Sequence, residues 1–128
     1  MREPLEPKVM EIILRRGEAT VRDILEEIVK ERKLSLTTVS TAVSRLYKKG
    51  LLTRERRRVK GGFRYVYKPK VTREEYERIL AREAVNRVTG LLGRVALLRL
   101  IEESASRLSE SELREVLKRI EMARRDGT

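Results

Sequence analysis

The sequence predicts a mainly α fold, α+β in detail: three short helices, one β-hairpin, then three further helices. Three observations carry this prediction. Apolar residues recur at helical spacing in six stretches. Gly61-Gly62 separates two extended runs, the second of which alternates. Capping residues stand at four of the six helix starts that the periodicity proposes: Thr20, Ser35, Thr72 and Ser109.

The first helix runs from Glu6 to Arg16, with Val9, Met10 and Ile13 inward, and stops at Gly17. Thr20 and Asp23 have the spacing of a capping box for the second, which carries Val21, Ile24, Leu25 and Ile28 and ends near Arg32. Ser35 caps the third, which ends at Lys49 before Gly50. Val39, Val43 and Leu46 form its buried edge, widened by Ala42 and Tyr47. Thr37, Thr41, Ser44, Arg45 and Lys48 lie on the opposite side.

Strands are expected over Leu51–Val59 and Phe63–Lys68. Phe63, Tyr65 and Tyr67 share one face. Packing against the helices is their expected role, with base stacking as the alternative. Beyond Pro69, Thr72 and Glu75 cap a fourth helix to about Val88. A fifth spans Leu91–Glu103, and Ser109 with Glu112 opens a sixth bearing Leu113, Val116, Leu117 and Ile120. The fifth has almost no polar face, so it must be covered nearly all round. The simplest cover is the same helix of a second chain across a two-fold axis; burial under the N-terminal domain is the alternative.

Charge is concentrated in the hairpin region. Residues 45–70 hold eleven Lys/Arg against the single acid Glu55, a net of +10 out of the chain's +11. A polyanion is the partner that uses such a local field, because cations docked on phosphates release condensed counterions. With no Cys and no His, disulfides, the commonest metal ligands and the commonest general base are absent. No metal, cofactor or small-molecule ligand is expected. No Gly-rich phosphate loop stands out, and Glu74-Glu75 and Glu102-Glu103 diverge on their helices, so an enzyme is not expected. The start Met1-Arg2-Glu3-Pro4 lacks the apolar core of a signal peptide, and Leu91–Ile101 is too short to span a bilayer. A cytoplasmic protein without a membrane partner is expected. Abundant charge, no Gln and one Asn form a thermophile-like pattern.

Helix, helix, helix, basic hairpin is the order of a winged helix-turn-helix. The third helix would enter the major groove of double-stranded DNA, with Thr37, Thr38 and Thr41 toward the bases and Ser40 at the edge. Ser35 and the free N–H groups at that helix start can hold a phosphate. Arg45, Lys48 and Lys49 would meet backbone. Arg54, Arg56, Arg57, Arg58, Lys60 and Arg64 of the wing would lie along flanking phosphates or enter a minor groove.

SLTTVSTAVSRLYKKG (Ser35–Gly50), Phe63-Arg64-Tyr65-Val66-Tyr67, VTREEY (Val71–Tyr76) and the Leu108-Ser109-x-x-Glu112 start of the last helix resemble the BlaI/MecI penicillinase-repressor family, which includes the CopY-type copper repressors. The resemblance implies a homodimeric repressor on dyad-symmetric operators. It implies a DNA-binding domain over 1–70 and a C-terminal three-helix dimerisation region over 71–128. DNA contacts then fall on Ser35, Thr37, Thr38, Ser40, Thr41, Arg45 and the wing. Dimer contacts fall on Leu91, Leu92, Val95, Leu98 and Ile101, with Val116, Leu117 and Ile120 of the last helix. Two features depart from the family pattern. Arg99-Leu100 stands where penicillinase repressors are cleaved at Asn-Phe, and the Cys-x-Cys metal sensor of CopY-type members is missing. Two other readings stay open: a sequence-tolerant architectural DNA-binding protein, and a winged-helix module for protein interaction.

Overall fold

The computed structural model describes residues 4–127 of the 128-residue chain, so the part of the N-terminal reading that rests on Met1–Glu3 lies outside the described residues. Its elements are α1 (Leu5–Arg16), α2 (Val21–Ile28), α3 (Leu36–Lys48), β1 (Leu52–Val59), β2 (Gly62–Pro69), α4 (Arg73–Ser106) and α5 (Glu110–Asp126). They divide into two compact units, one ending at Ile79 and the other beginning at Leu80.

The first unit is built on the stripes that periodicity marks. Val9, Met10 and Ile13 of α1, Ile24 and Ile28 of α2, and Val39, Val43 and Leu46 of α3 are all buried. Both α1 and α2 pack on α3. α2 stops at Ile28, earlier than expected. The amides of Glu31 and Arg32 both turn back to the Ile28 carbonyl, and Val29 is exposed, so no apolar residue drives another turn.

The start of α2 is fixed by a closed capping box. Thr20 Oγ1 accepts from the Asp23 amide at 3.0 Å, and Asp23 Oδ2 accepts from the Thr20 amide at 2.9 Å. The second bond, with the Thr20 hydroxyl, holds the Asp23 carboxyl below its ordinary pKa. Thr20→Ala removes one half of this box and should destabilise the unit by about 1 kcal/mol. That corresponds to a melting midpoint lower by about 4–8 °C. Circular dichroism melts of the wild type, Thr20→Ala and Thr20→Ser check this, with Ser retaining the midpoint.

β1 and β2 pair antiparallel, from Leu52 opposite Pro69 to Val59 opposite Gly62. Lys60-Gly61 is the two-residue turn. Gly61 has φ 91°, a conformation that side-chain-bearing residues rarely take. Two backbone bonds between Ala19 and Tyr67 (3.0 and 2.9 Å) tie the base of the hairpin to the segment before α2. The tie buries Val66 and Tyr67. The expectation that Phe63, Tyr65 and Tyr67 all pack inward is corrected. They do share a face, but only Tyr67 reaches the core, while Phe63 (59% exposed) and Tyr65 (40% exposed) stand in solvent. Beyond its base the wing is a two-stranded ribbon, largely exposed on both faces.

The first turn of α4 belongs to this unit. Thr72 and Glu75 exchange cap hydrogen bonds at 3.2 and 3.1 Å, Tyr76 is buried, and Arg73 forms an ion pair with Glu11 of α1.

In the second unit the expected boundary between a fourth and a fifth helix moves. Helical structure continues past Val88 and breaks at Gly93 (φ 83°, ψ 179°), so Leu91 and Leu92 lie before the break. A left-handed φ is cheap only for glycine, which is why the interruption sits there. α5 opens with a closed capping box between Ser109 and Glu112. None of the described side chains beyond Ile79 is buried. Leu91, Leu92, Val95, Leu98 and Ile101 are exposed, as are Val116, Leu117 and Ile120. Three cations of this unit pair along their own helices: Arg99 with Glu102, Arg114 with Glu110, and Arg119 with Glu115.

Candidate nucleic-acid interface

Ser35 caps α3, its Oγ accepting from the Thr38 amide at 3.2 Å and lying 2.9 Å from Thr38 Oγ1. Both of these expected contact residues therefore spend hydroxyl valence on the helix start. Thr38 faces a shallow groove shared with Pro4, Leu5 and Glu6. Thr37, Thr41 and Arg45 border that groove as well and face a second one. Thr37, Ser40, Thr41, Ser44, Arg45 and Lys48 line an open cleft of about 660 Å³ between α3, the start of α2 and β2. Leu36, Val21, Arg22, Arg64 and Tyr65 complete its walls. The Thr41 hydroxyl donates to the Thr37 carbonyl at 2.9 Å, which leaves its methyl and its two lone pairs for a ligand.

The cations divide into two sets. Among the described residues, Arg45, Lys48, Arg54, Arg56, Arg58, Lys60 and Arg64 form no ion pair. Lys49 is tied to Glu6 of α1 at 3.2 Å. Arg57 is tied most of all. It donates to both oxygens of Glu18, at 2.7 and 3.2 Å, and to Glu55 Oε1 at 3.0 Å. The hydrogen bonds to Glu18 and Glu55 push the Arg57 pKa up, and the same contacts hold both carboxyls below their usual range. Lys68 adds a contact to Glu55 at 3.5 Å.

The unpaired arginines of β1 lie on rings instead. The Arg54 guanidinium carbon is 4.2 Å from the Tyr47 ring centre and 4.3 Å from that of Tyr65. Arg56 is 4.2 Å from Phe63, and Arg58 is 5.9 Å from it. Stacks of this kind contribute about 0.5–1 kcal/mol each at exposed sites. The register explains them: Arg54, Arg56 and Arg58 stand opposite Tyr67, Tyr65 and Phe63, so cations and rings share one face of the ribbon. Arg54 is also held above its ordinary pKa, first by a hydrogen bond to Tyr67.

The penicillinase repressor family model matches residues 3–122. The chain belongs to that family. Among solved structures, this chain is similar to the DNA-binding domain of the repressor BlaI, at 26% identity over 59% of this chain and 88% of that one, with a TM-score of 0.47. It is also similar to Stf76 from the Sulfolobus islandicus plasmid-virus pSSVx, at 20% identity over 59% and 92%, with a TM-score of 0.45. No curated protein matches the chain.

Several cleft residues of this family member escape a sequence reading of the site. Ser44 carries a signal, since it continues the Thr37, Thr41 line by one helical turn. Leu36 does not, because an apolar residue at a helix start looks like core. Arg22 comes from the neighbouring helix, which only the folded chain reveals. Among the described residues no cluster of acidic side chains has the makings of a metal site, and no helix is long and apolar enough to cross a membrane.

Proposed function

We propose that this penicillinase repressor family member is a DNA-binding transcriptional repressor that acts as a homodimer on dyad-symmetric operators. One observation carries the reading. The hydroxyl-bearing face of α3 opens, unobstructed, into a cleft walled by unpaired cations from α3 and the wing. Thr37, Ser40 and Thr41 face the base edges, with Ser44 and Leu36 beside them, and hydroxyl and methyl groups suit both hydrogen bonds and thymine contact. Arg45, Lys48, Arg54, Arg56, Arg58, Lys60 and Arg64 meet backbone or groove. Ser35, with Thr38 bound to it, presents the α3 start to a phosphate. Lys49 and Arg57, engaged with carboxylates, support this surface from behind.

In this reading residues 1–70 bind DNA and residues 71–128 join the subunits. The exposed apolar residues Leu91, Leu92, Val95, Leu98, Ile101, Val116, Leu117 and Ile120 supply the interface. The protein works in the cytoplasm, on promoter DNA, without a catalytic step.

Selection of fragmented genomic DNA on the purified protein at near-physiological salt tests the proposal. A short dyad motif with half-sites about 10 base pairs apart should emerge at a few promoters. Titration of the recovered site should give a log K against log salt slope of about −7 to −9, for roughly 8–10 phosphates neutralised per dimer. Even genomic coverage would favour the architectural reading. Failure to retain any duplex would favour the protein-interaction reading.

A further inference from the structure

The wing carries aromatic rings that its core does not use. Phe63 is 59% exposed at the hairpin tip, and its ring is covered by Arg56 and Arg58 rather than by apolar side chains. Tyr65 and Tyr47 clamp Arg54 from two sides, each about 4 Å away. A guanidinium whose carbon sits about 4 Å from a ring centre, as in Arg54 and Arg56, spends a face on the ring and keeps N–H groups at its edge. That edge forks onto two oxygens of a phosphate. Among the described residues none of these three arginines has a carboxylate partner, although Arg54 gives one hydrogen bond to Tyr67 and keeps its other N–H groups. Arg57, on the opposite face of the same strand, has two.

We propose that Tyr47, Phe63 and Tyr65 are positioning residues that hold Arg54, Arg56 and Arg58 as a comb of guanidinium edges for DNA phosphates, while Arg57 is a strut that takes no part in the contact. The inference rests on the DNA-binding reading above and deepens it. A free arginine on a two-stranded ribbon samples many rotamers and loses that freedom when it docks. Stacking removes the freedom beforehand, so the rings raise affinity without touching DNA. The strut has a separate task. Glu18 lies just before α2, and its bidentate bond to Arg57 fixes the wing relative to the helices of the same unit.

Fluorescence anisotropy with the full-length protein and a labelled random-sequence duplex, repeated across a salt series, tests both halves. Phe63→Leu and Tyr65→Leu should each weaken binding about fivefold, the scale of one ordered side chain. The salt slope should not change, because every charge remains. Phe63→Tyr and Tyr65→Phe, which keep a ring, should bind as the wild type does. Arg54→Ala and Arg56→Ala should each make the slope shallower by about 1 for each phosphate left without its cation. Arg57→Met should leave the slope unchanged and lower the melting midpoint. Wild-type affinity in Phe63→Leu and Tyr65→Leu overturns the positioning role. A slope change in Arg57→Met equal to that in Arg56→Ala overturns the division between comb and strut. An Arg56→Ala variant that alters preference among recovered sites, at constant slope, overturns phosphate as the target in favour of base edges. A wild-type protein that holds no duplex overturns the DNA-binding reading and this one together.

Discussion

If the proposed homodimer forms through this helix, Leu98→Asp should sediment as a monomer where the wild type does not, and weaken binding to the recovered operator about a hundredfold or more. Leu98 lies beyond Gly93 on α4 and is 53% exposed in the single chain, close to Val95 and Ile101 in helical spacing. A carboxylate there costs the lone chain little, because the site is already wet. In an apolar subunit interface the same carboxylate has no partner and loses its hydration. Joining two half-site modules raises overall affinity by about 10²–10⁴, and a monomer forfeits this gain. The melting midpoint of the first unit should not move, since its buried residues all lie elsewhere. A variant that remains dimeric would remove Leu98 from the interface.

The combined substitution of Thr37, Ser40 and Thr41 by Ala should erase sequence discrimination and leave general DNA affinity nearly intact. All three are exposed on the same face of α3. Each good base contact is worth about 1–3 kcal/mol of discrimination. The ratio of operator to random-duplex affinity should therefore fall by about two orders of magnitude or more. The salt slope should hold, because every cation remains. Stability should hold or rise, since alanine is the better helix former. Competition titrations with both duplexes give the ratio directly. An unchanged ratio would leave these hydroxyls with only a helix-surface role.

Element order was legible because most of the helices announce themselves twice, by apolar spacing and by a capping residue. Thr20 with Asp23 and Ser109 with Glu112 close the boxes that their spacing proposes. What stayed hidden follows from distance along the chain or from symmetry of pattern. Alternation put Phe63, Tyr65 and Tyr67 on one face, but a period of two does not say which face meets the core. The Ala19–Tyr67 backbone pairing decides that for Tyr67 and leaves the other two rings in solvent. Arg57 looks like its neighbours Arg56 and Arg58 in sequence. Alternation puts it on the strand face of Glu55, but its second carboxylate, Glu18, lies thirty-nine positions away and only the fold brings it near. Of Gly90 and Gly93, either could break α4, and only Gly93 takes the left-handed φ.

The partition of net charge also bears on how the protein finds its target. Residues 1–44 hold eight cations and eight acids, whereas residues 45–70, which span the end of α3 and the wing, hold a net of +10. Such asymmetry gives the first unit an electrical polarity and not merely a net charge. In the field of a duplex, a polar unit feels a torque as well as a pull, so it turns its basic face forward before collision. Fewer encounters are then wasted on the wrong face, and association outpaces the rate of a randomly oriented protein of the same size. The advantage reaches only about 8 Å at physiological ionic strength, so it acts in the last moments of approach.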